Sequence, residues 1–297
     1  MEVNLVPLNS VFAVIVTFRP RPRDLKNFAA IRPQIQELVV VDNGSPEEIV
    51  QNLRSLSHEV PFKLIENSAN LGIAAALNAG IRWSESHGAQ WIALFDQDST
   101  VTDGFIPQML ADFEEEAQKR DILLLVPRYR DPETGVERIT PMHEDGGPFV
   151  TITSGSLLPA RAFQECGYFR EELFIYTVDD EFSLRLRSNG FSIGLSKTAV
   201  LLHASGTPTP FKLLNKIRFT TTNYRPSARY YVSRNRVWMI RHYGSKYPRW
   251  VRGALRSSVI DVLKIIIAEK SRWPKLKMIL CGCRDGILYR MGKTVNP

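Results

Sequence analysis

WIALFDQD, residues 91–98, runs from apolar residues fit for a core straight into two aspartates one position apart. A turn needs at most one such residue, and two carboxylates this close repel. Two readings fit Asp96-Gln97-Asp98. One is an Asp-rich turn. The other is a pair of oxygen ligands for Mg²⁺ or Mn²⁺, ions that favour carboxylates and substrate phosphate oxygens over an all-protein cage. A bridging cation would remove the repulsion.

The preceding segments show how this stretch is framed. VFAVIVTF (11–18) is a continuous β-branched run, as expected of a buried parallel strand, and ELVVVDNGS (37–45) and FKLIEN (62–67) read as strands too. Between them lie a polar helical stretch at about 23–36, then SPEEIVQNLRSL (45–56), with Ser45 as N-cap and Pro46 at the first helical position. The alanine-rich NLGIAAALNAGIRWSESHG (70–88) follows. This alternation predicts a parallel sheet with right-handed crossovers, whose ligands bind at the carboxyl ends of the strands. Thr17, Asp42, Asn67 and Asp96 all fall at that edge. Further on, DILLLVPRY (121–129) is a strand and 131–148 a polar loop. FVTITSGSLLPARAF (149–163) reads as strand, turn and helix start, ahead of LFIYTVDDEFSLRLRSNGF (173–191) and IGLSKTAVLLHASG (193–206).

The 297 residues suit one large α/β domain, or one domain plus an appendage. Three cysteines form no disulfide framework, and residues 1–18 show no basic leader or cleavage site, so a reducing, cytoplasmic location is expected. No uncharged apolar stretch reaches the roughly 18 residues needed to span a bilayer. The net charge of +7 is unevenly placed: from residue 246 onward twelve Lys/Arg meet three acids, leaving the rest near neutral. A nucleic-acid partner is not expected, because acids gathered at the strand ends would repel phosphate unless a metal lay between.

Other motifs each carry two readings. Asp42-Asn43-Gly44-Ser45 is turn chemistry, or Asp42 accepts the N3–H of a pyrimidine. Asn70-Leu71-Gly72 opens a helix whose free N–H groups could face phosphate, without the signature of a Walker loop or a dinucleotide fold. In Val178-Asp179-Asp180-Glu181 the acids oppose a helix dipole, Glu181 can pair with Arg185, or one acid serves as a general base. His203, after a strand, is structural or lies near Asp98. A sugar nucleotidyltransferase would carry a Gly-rich loop after the first strand, and VTFRPRPRDL has no glycine.

Taken in order, these motifs, together with Thr17, Asn78, Gly80, Thr153-Ser154-Gly155, Leu184-Arg185 and Gly206, resemble the inverting GT-A glycosyltransferases of family 2 over residues 11–245. The FDQD run, YVSRN (231–235) and the terminal Arg284-Asp285-Gly286 with Arg290-Met291-Gly292-Lys293 look like the bacterial rhamnosyltransferases that use dTDP-L-rhamnose. The resemblance implies an α/β GT-A fold: a Rossmann-like mixed sheet with flanking helices. It implies a catalytic domain at 1–245, with a nucleotide-sugar half to about 120 and an acceptor half beyond, and a basic helical appendage at 246–297. Thr17 and Asp42 would hold the base of a dTDP-sugar donor, with Asn70 and Gly72 also on the donor side and Asp96 near the ribose. Asp98 and His203 would bind the cation (Mg or Mn), and Asp179 would be the base. Thr153, Ser154, Gly155, Asp180, Arg234 and Asn235 would line the acceptor side. The implied activity moves L-rhamnose to a saccharide acceptor, polyprenyl-diphosphate-linked, with galactofuranose or glucose as the alternative donor sugar. This chain has Tyr176 and Val178 where relatives can carry an extra acid.

In 249–268, Val251, Leu255, Val259, Val262 and Ile266 recur at helical spacing beside Arg252, Arg256 and Lys264. Two accounts remain: a helix packed on the catalytic domain, or an amphipathic helix resting peripherally on the anionic inner face of the cell membrane.

Overall fold

The computed structural model describes residues 10–138, 140–203, 209–213 and 217–296. Strand β1 (Val11–Thr17) is followed by α1 (Lys26–Ile31), β2 (Glu37–Asp42), α2 (Glu47–Glu59), β3 (Lys63–Glu66), α3 (Ile73–Ser86) and β4 (Trp91–Asp96). Then come β5 (Thr100–Val101), α4 (Phe105–Ala117), β6 (Ile122–Arg130), β7 (Ser156–Pro159), α5 (Arg161–Cys166), α6 (Val178–Ser188) and β8 (Ser192–Leu202). The hairpin β9 (Thr209–Leu213) and β10 (Ile217–Thr221) precedes α7 (Pro226–Tyr243), α8 (Pro248–Ala268) and α9 (Arg272–Ile287). The chain divides into two compact units, Met1–Glu171 with Asp179–Ala204, and Glu172–Val178 with Ser205–Pro297.

In the first unit, eight strands form one mixed sheet in the order β3-β2-β1-β4-β7-β6-β8-β5. The four leading strands are parallel, as their continuous apolar runs predict. β7 runs antiparallel to both β4 and β6, β8 is parallel to β6, and β5 closes the edge antiparallel to β8. Register sets Thr17 beside Asp42, Asp42 beside Glu66, and Val16 beside Asp96, so the polar strand ends share one edge. The core beneath draws on β1, β2, β4 and β6 and on the inner faces of α1 and α4.

Local chemistry moves several boundaries. Pro33 confines the helix expected at 23–36 to α1 and a short 3₁₀ turn at Arg32–Gln34. Ser45 does not cap α2; its hydroxyl donates instead to Asp42 Oδ1 at 2.6 Å, and Pro46 takes the capping position. Residues 149–155 are not a strand, and β7 begins only at Ser156. Gly206, read as part of the His203 motif, lies outside the described residues.

The sequence reading set a boundary at residue 246; the second compact unit takes in Glu172–Val178 and Ser205–Pro297. Helix α7 already belongs to it, because α9 packs along α7 through two glycines. A Cβ on Gly282 would lie 2.3 Å from the Tyr230 carbonyl oxygen, and one on Gly286 2.5 Å from that of Arg234. Glu269, Lys275 and Arg229 form a buried charge cluster inside this unit, so part of the basic segment is spent internally. Cys166, Cys281 and Cys283 are free thiols.

Gly80 on α3 faces β1 and β2: a Cβ there would meet Val14 Cγ1 at 2.4 Å and Val41 Cγ2 at 3.1 Å. β-Branched core residues cannot swing aside, so overpacking outweighs the helix-propensity gain. Gly80→Ala should lower unfolding free energy by about 1–3 kcal/mol in urea denaturation. Gly253→Ala, in α8 with open space around it, should raise it by up to about 1 kcal/mol. Equal effects of the two substitutions would contradict the packing assigned to α3.

Candidate active site

The site grows from the end of β4. Asp96 closes that strand, and its backbone N–H donates to Ser154 Oγ at 3.2 Å. Ser154 is fully buried and shares a hydrogen bond of 2.5 Å with Ser99 Oγ, which in turn lies 3.0 Å from His203 Nδ1 at the end of β8. The left-handed Gly155 (φ 78°) allows this approach, since a Cβ there would strike Pro127 and Leu201. Asp96, Asp98 and His203 thus each present a ligand atom within 4.8 Å of the others. Two carboxylate oxygens and an imidazole nitrogen suit a divalent cation that also takes oxygen from a substrate. Asp96, which the family resemblance sets near the ribose, enters this group as well.

Electrostatics mark the same place. Burial, then the neighbouring Asp98 and Asp179, push the Asp96 carboxyl up to about 7. Burial also raises the Asp179 carboxyl above its usual range, against the backbone N–H of Asp180 (3.1 Å) and the positive field of Arg138. Asp179 stands in the first turn of α6 and lines a small cavity with Leu94, Thr151, Thr153, Phe169 and Phe182. Burial lowers the His203 imidazole, partly offset by Asp98. A neutral imidazole is the form that can coordinate a metal.

The three consecutive acids separate by role. Glu181 is wholly buried and paired with Arg185 and Arg170, both at 2.9 Å, which makes it structural. Asp180 is half-buried beside Asp179.

On the other side of the edge, Asp42 is fully buried. Its two oxygens accept from Thr17 Oγ1 (3.2 Å), Ser45 Oγ (2.6 Å) and the N–H groups of Gly44 (3.2 Å) and Ser45 (2.8 Å). That fills the acceptor positions of a carboxylate. Asn70 and Gly72 form a turn ahead of α3 rather than its first residues: Asn70 Oδ1 accepts from Gly72 N–H at 3.0 Å. Asn43 ties the turn down, donating to the Gly72 carbonyl and accepting from Leu71 N–H. Asn78 is buried and holds Phe169 and Glu171.

Arg234 and Asn235, expected on the acceptor side, belong to the second unit and are fully buried. Their polar atoms go to backbone carbonyls of residues 172–176 and to the chain near Gly292. Sequence reasoning missed Ser99, although it directly follows Asp98 at the end of the quoted run. It also missed Arg138, because an exposed arginine in a polar loop carries no signal of its own.

The architecture is that of a GT-A glycosyltransferase. It resembles the crystal structure of GalNAc-T7 with UDP, GalNAc and Mn²⁺ at a TM-score of 0.61 and 14% identity, over 84% of this chain and 50% of that one. Residues 13–171 match the model of "Glycosyl transferase family 2". The chain is 30% identical over 294 residues to the dTDP-rhamnosyl transferase RfbF of Shigella flexneri, covering 94% of this chain and 96% of the relative. It is 25% identical over 266 residues to the galactofuranosyltransferase GlfT1 of Mycobacterium tuberculosis, covering 82% and 87%. The chain belongs to glycosyl transferase family 2 and is a glycosyltransferase.

Proposed function

We propose that this enzyme transfers L-rhamnose from dTDP-β-L-rhamnose to a hydroxyl of a saccharide acceptor, with inversion at the anomeric carbon. The observation that carries the reaction class is the convergence of Asp96, Asp98 and His203 at one sheet edge whose field reaches Asp179. The similarity to the Shigella rhamnosyl transferase over nearly the whole chain supports the sugar. Galactofuranose is the second reading, supported by the weaker match to the mycobacterial enzyme. The acceptor hydroxyl attacks the anomeric carbon, the bond to the nucleoside diphosphate breaks, and Asp179 takes the hydroxyl proton. A single displacement turns the β-linked donor into an α-L-rhamnoside. Thr17 and Asp42 underlie the base-binding end, and Asp42 can reach a pyrimidine N3–H once the Ser45 hydroxyl rotates away. Thr153, Ser154 and Gly155 border the acceptor side together with Asp180. Asp179→Asn keeps the shape but cannot accept a proton, so kcat should fall about 10²–10⁴-fold with donor binding little changed. The base works as its carboxylate and its pKa is raised, so activity should climb with pH through an acid limb lying above the usual carboxylate range. Near-normal turnover of Asp179→Asn would remove the assignment, and loss on Asp180→Asn instead would move the base by one residue.

Asp98, His203 and Asp96 are the residues that would hold a Mg²⁺ or Mn²⁺ ion. When bound, such a cation offsets the charge that develops on the leaving diphosphate. The donor set fits, because the carboxyl pair that costs free energy when ionised together is what a divalent ion requires. Asp98→Ala should abolish transfer while the fold survives, and excess chelator should do the same to the wild type. Retained turnover in either would rule the metal out.

The polyprenyl-linked acceptor reading receives support from α8. Leu255, Val259, Ile260, Leu263, Ile266 and Ile267 are all exposed on it, with Arg252 and Arg256 alongside. No described helix is long and apolar enough to cross a membrane. An outward apolar stripe flanked by arginines suits peripheral seating on an anionic leaflet at the inner face of the cell membrane, where each nearby cation contributes about 1 kcal/mol. Flotation should recover the protein on vesicles containing anionic lipid, less so at high salt. Leu263→Glu with Ile267→Glu should abolish recovery with the melting temperature unchanged. Equal recovery on neutral vesicles, or a salt-independent dimer lost in that variant, would count against a lipid surface.

A further inference from the structure

The segment Glu172–Val178 leads directly into α6 and hence into Asp179. Its backbone is unusual. Phe174 (φ 64°), Tyr176 (φ 63°) and Thr177 (φ 55°) are all left-handed, and none is glycine. Such conformations are uncommon singly for residues with a Cβ, and three within four positions do not hold themselves. The Thr177 hydroxyl is in addition buried with no hydrogen-bond partner.

What imposes this path is a pair of buried side chains on α7. The Asn235 amide nitrogen donates to the carbonyls of Leu173 (3.0 Å), Ile175 (2.8 Å) and Tyr176 (2.9 Å), bracketing two of the left-handed residues. Its orientation is fixed, because Asn235 Oδ1 accepts from Arg234 Nε at 2.9 Å and so turns the NH₂ toward the segment. Arg234 Nη2 donates to Leu173 O (2.9 Å) and Glu172 O (3.3 Å), and Gly292 N–H adds a bond to Glu172 O at 2.7 Å. Phe174 stacks on Tyr231, whose ring also receives the Arg234 guanidinium. Neither residue has a polar group left for a substrate: Arg234 spends its remaining Nη1 on Gly292 O and Thr294.

We infer that Asn235, oriented by Arg234, is a positioning residue that holds the left-handed Glu172–Val178 segment in the one path that starts α6 with Asp179 aimed for proton abstraction. This rests on Asp179 being the base. The YVSRN motif and Gly292 of the terminal motif then have one physical task, gripping the same stretch of backbone, in place of contacting an acceptor.

The test compares Asn235→Ala, Asn235→Gln, Asp179→Asn and the double variant Asp179→Asn/Asn235→Ala in the full chain. Turnover is read as dTDP released from dTDP-β-L-rhamnose, and donor-site integrity as calorimetric affinity for dTDP. A misplacement on the order of 1 Å can cost about 100-fold, so Asn235→Ala should lose about 10–100-fold in kcat with dTDP affinity and donor KM essentially unchanged. Asn235→Gln, which keeps the amide, should recover part of that loss. The double variant should be no slower than Asp179→Asn alone, because a residue acting through the base has nothing to add once the base is gone. Normal kcat in Asn235→Ala, or losses that multiply in the double variant, would overturn the inference while leaving Asp179 as base. Normal turnover of Asp179→Asn would overturn both. If Asn235→Ala does not fold, Asn235→Gln and its double with Asp179→Asn carry the same comparison.

Discussion

Repulsion between carboxyl groups brought together at one sheet edge is the constraint around which this enzyme is organised. Asp96, Asp98 and Asp179 come from the end of β4, the turn after it and the start of α6; burial raises the carboxyls of Asp96 and Asp179, while Asp98 stands exposed beside them. A buried like-charge set is tolerated only when protons or a cation relieve it. The Asp96 carboxyl, pushed to about 7, shows the first of these. The histidine placed within reach, with burial keeping its imidazole neutral, prepares the second. The cluster is therefore costly while its carboxyls are ionised together, and a cation shared between Asp96, Asp98 and His203 would relieve that cost.

Holding such a cluster takes a scaffold that does no chemistry. The antiparallel β7, inserted between β4 and β6, brings Ser154 under the Asp96 amide, and Ser99 bridges Ser154 to His203. Several residues of the motifs that carry the family resemblance are of this kind. Gly80 lets α3 lie against β1, Asn78 fastens the stretch from Phe169 to Glu171, and Asn43 closes the turn before α3. A family motif mixes reacting residues with residues that keep them in place.

The strand–helix alternation of the first half was legible because period and length are local properties, and WIALFDQD pointed to the edge where the cluster lies. Asp98 and His203 were paired by resemblance, and their proximity is a contact across more than a hundred residues that no spacing rule reveals. What stayed hidden had the same cause. Ser45 reads as a helix cap until Asp42, three residues back, takes its hydroxyl. Residues 149–155 alternate like a strand, yet Thr153–Ser156 form a turn whose Gly155 bonds to Leu94. Arg234 and Asn235 look like surface chemistry because Arg is seldom fully buried, and only the carbonyls of a distant segment explain why they are.

The energetics of that segment indicate how firmly it can be held. A non-glycine residue in a sparsely populated backbone region costs roughly 1–3 kcal/mol, so three of them cost about 3–9 kcal/mol. Against this stand six hydrogen bonds from Asn235, Arg234 and Gly292, each contributing about 0.5–1.5 kcal/mol, which sums to a similar range. Neither side wins by a wide margin, and the stacking of Phe174 on Tyr231 is of the size that decides the balance. The path into α6 is therefore not an intrinsic property of residues 172–178. It is imposed by α7 and by the chain around Gly292, whose own placement depends on α9 lying tightly along α7. The basic C-terminal region, which charge alone suggests is an appendage, thus carries part of the structure that leads the backbone into Asp179.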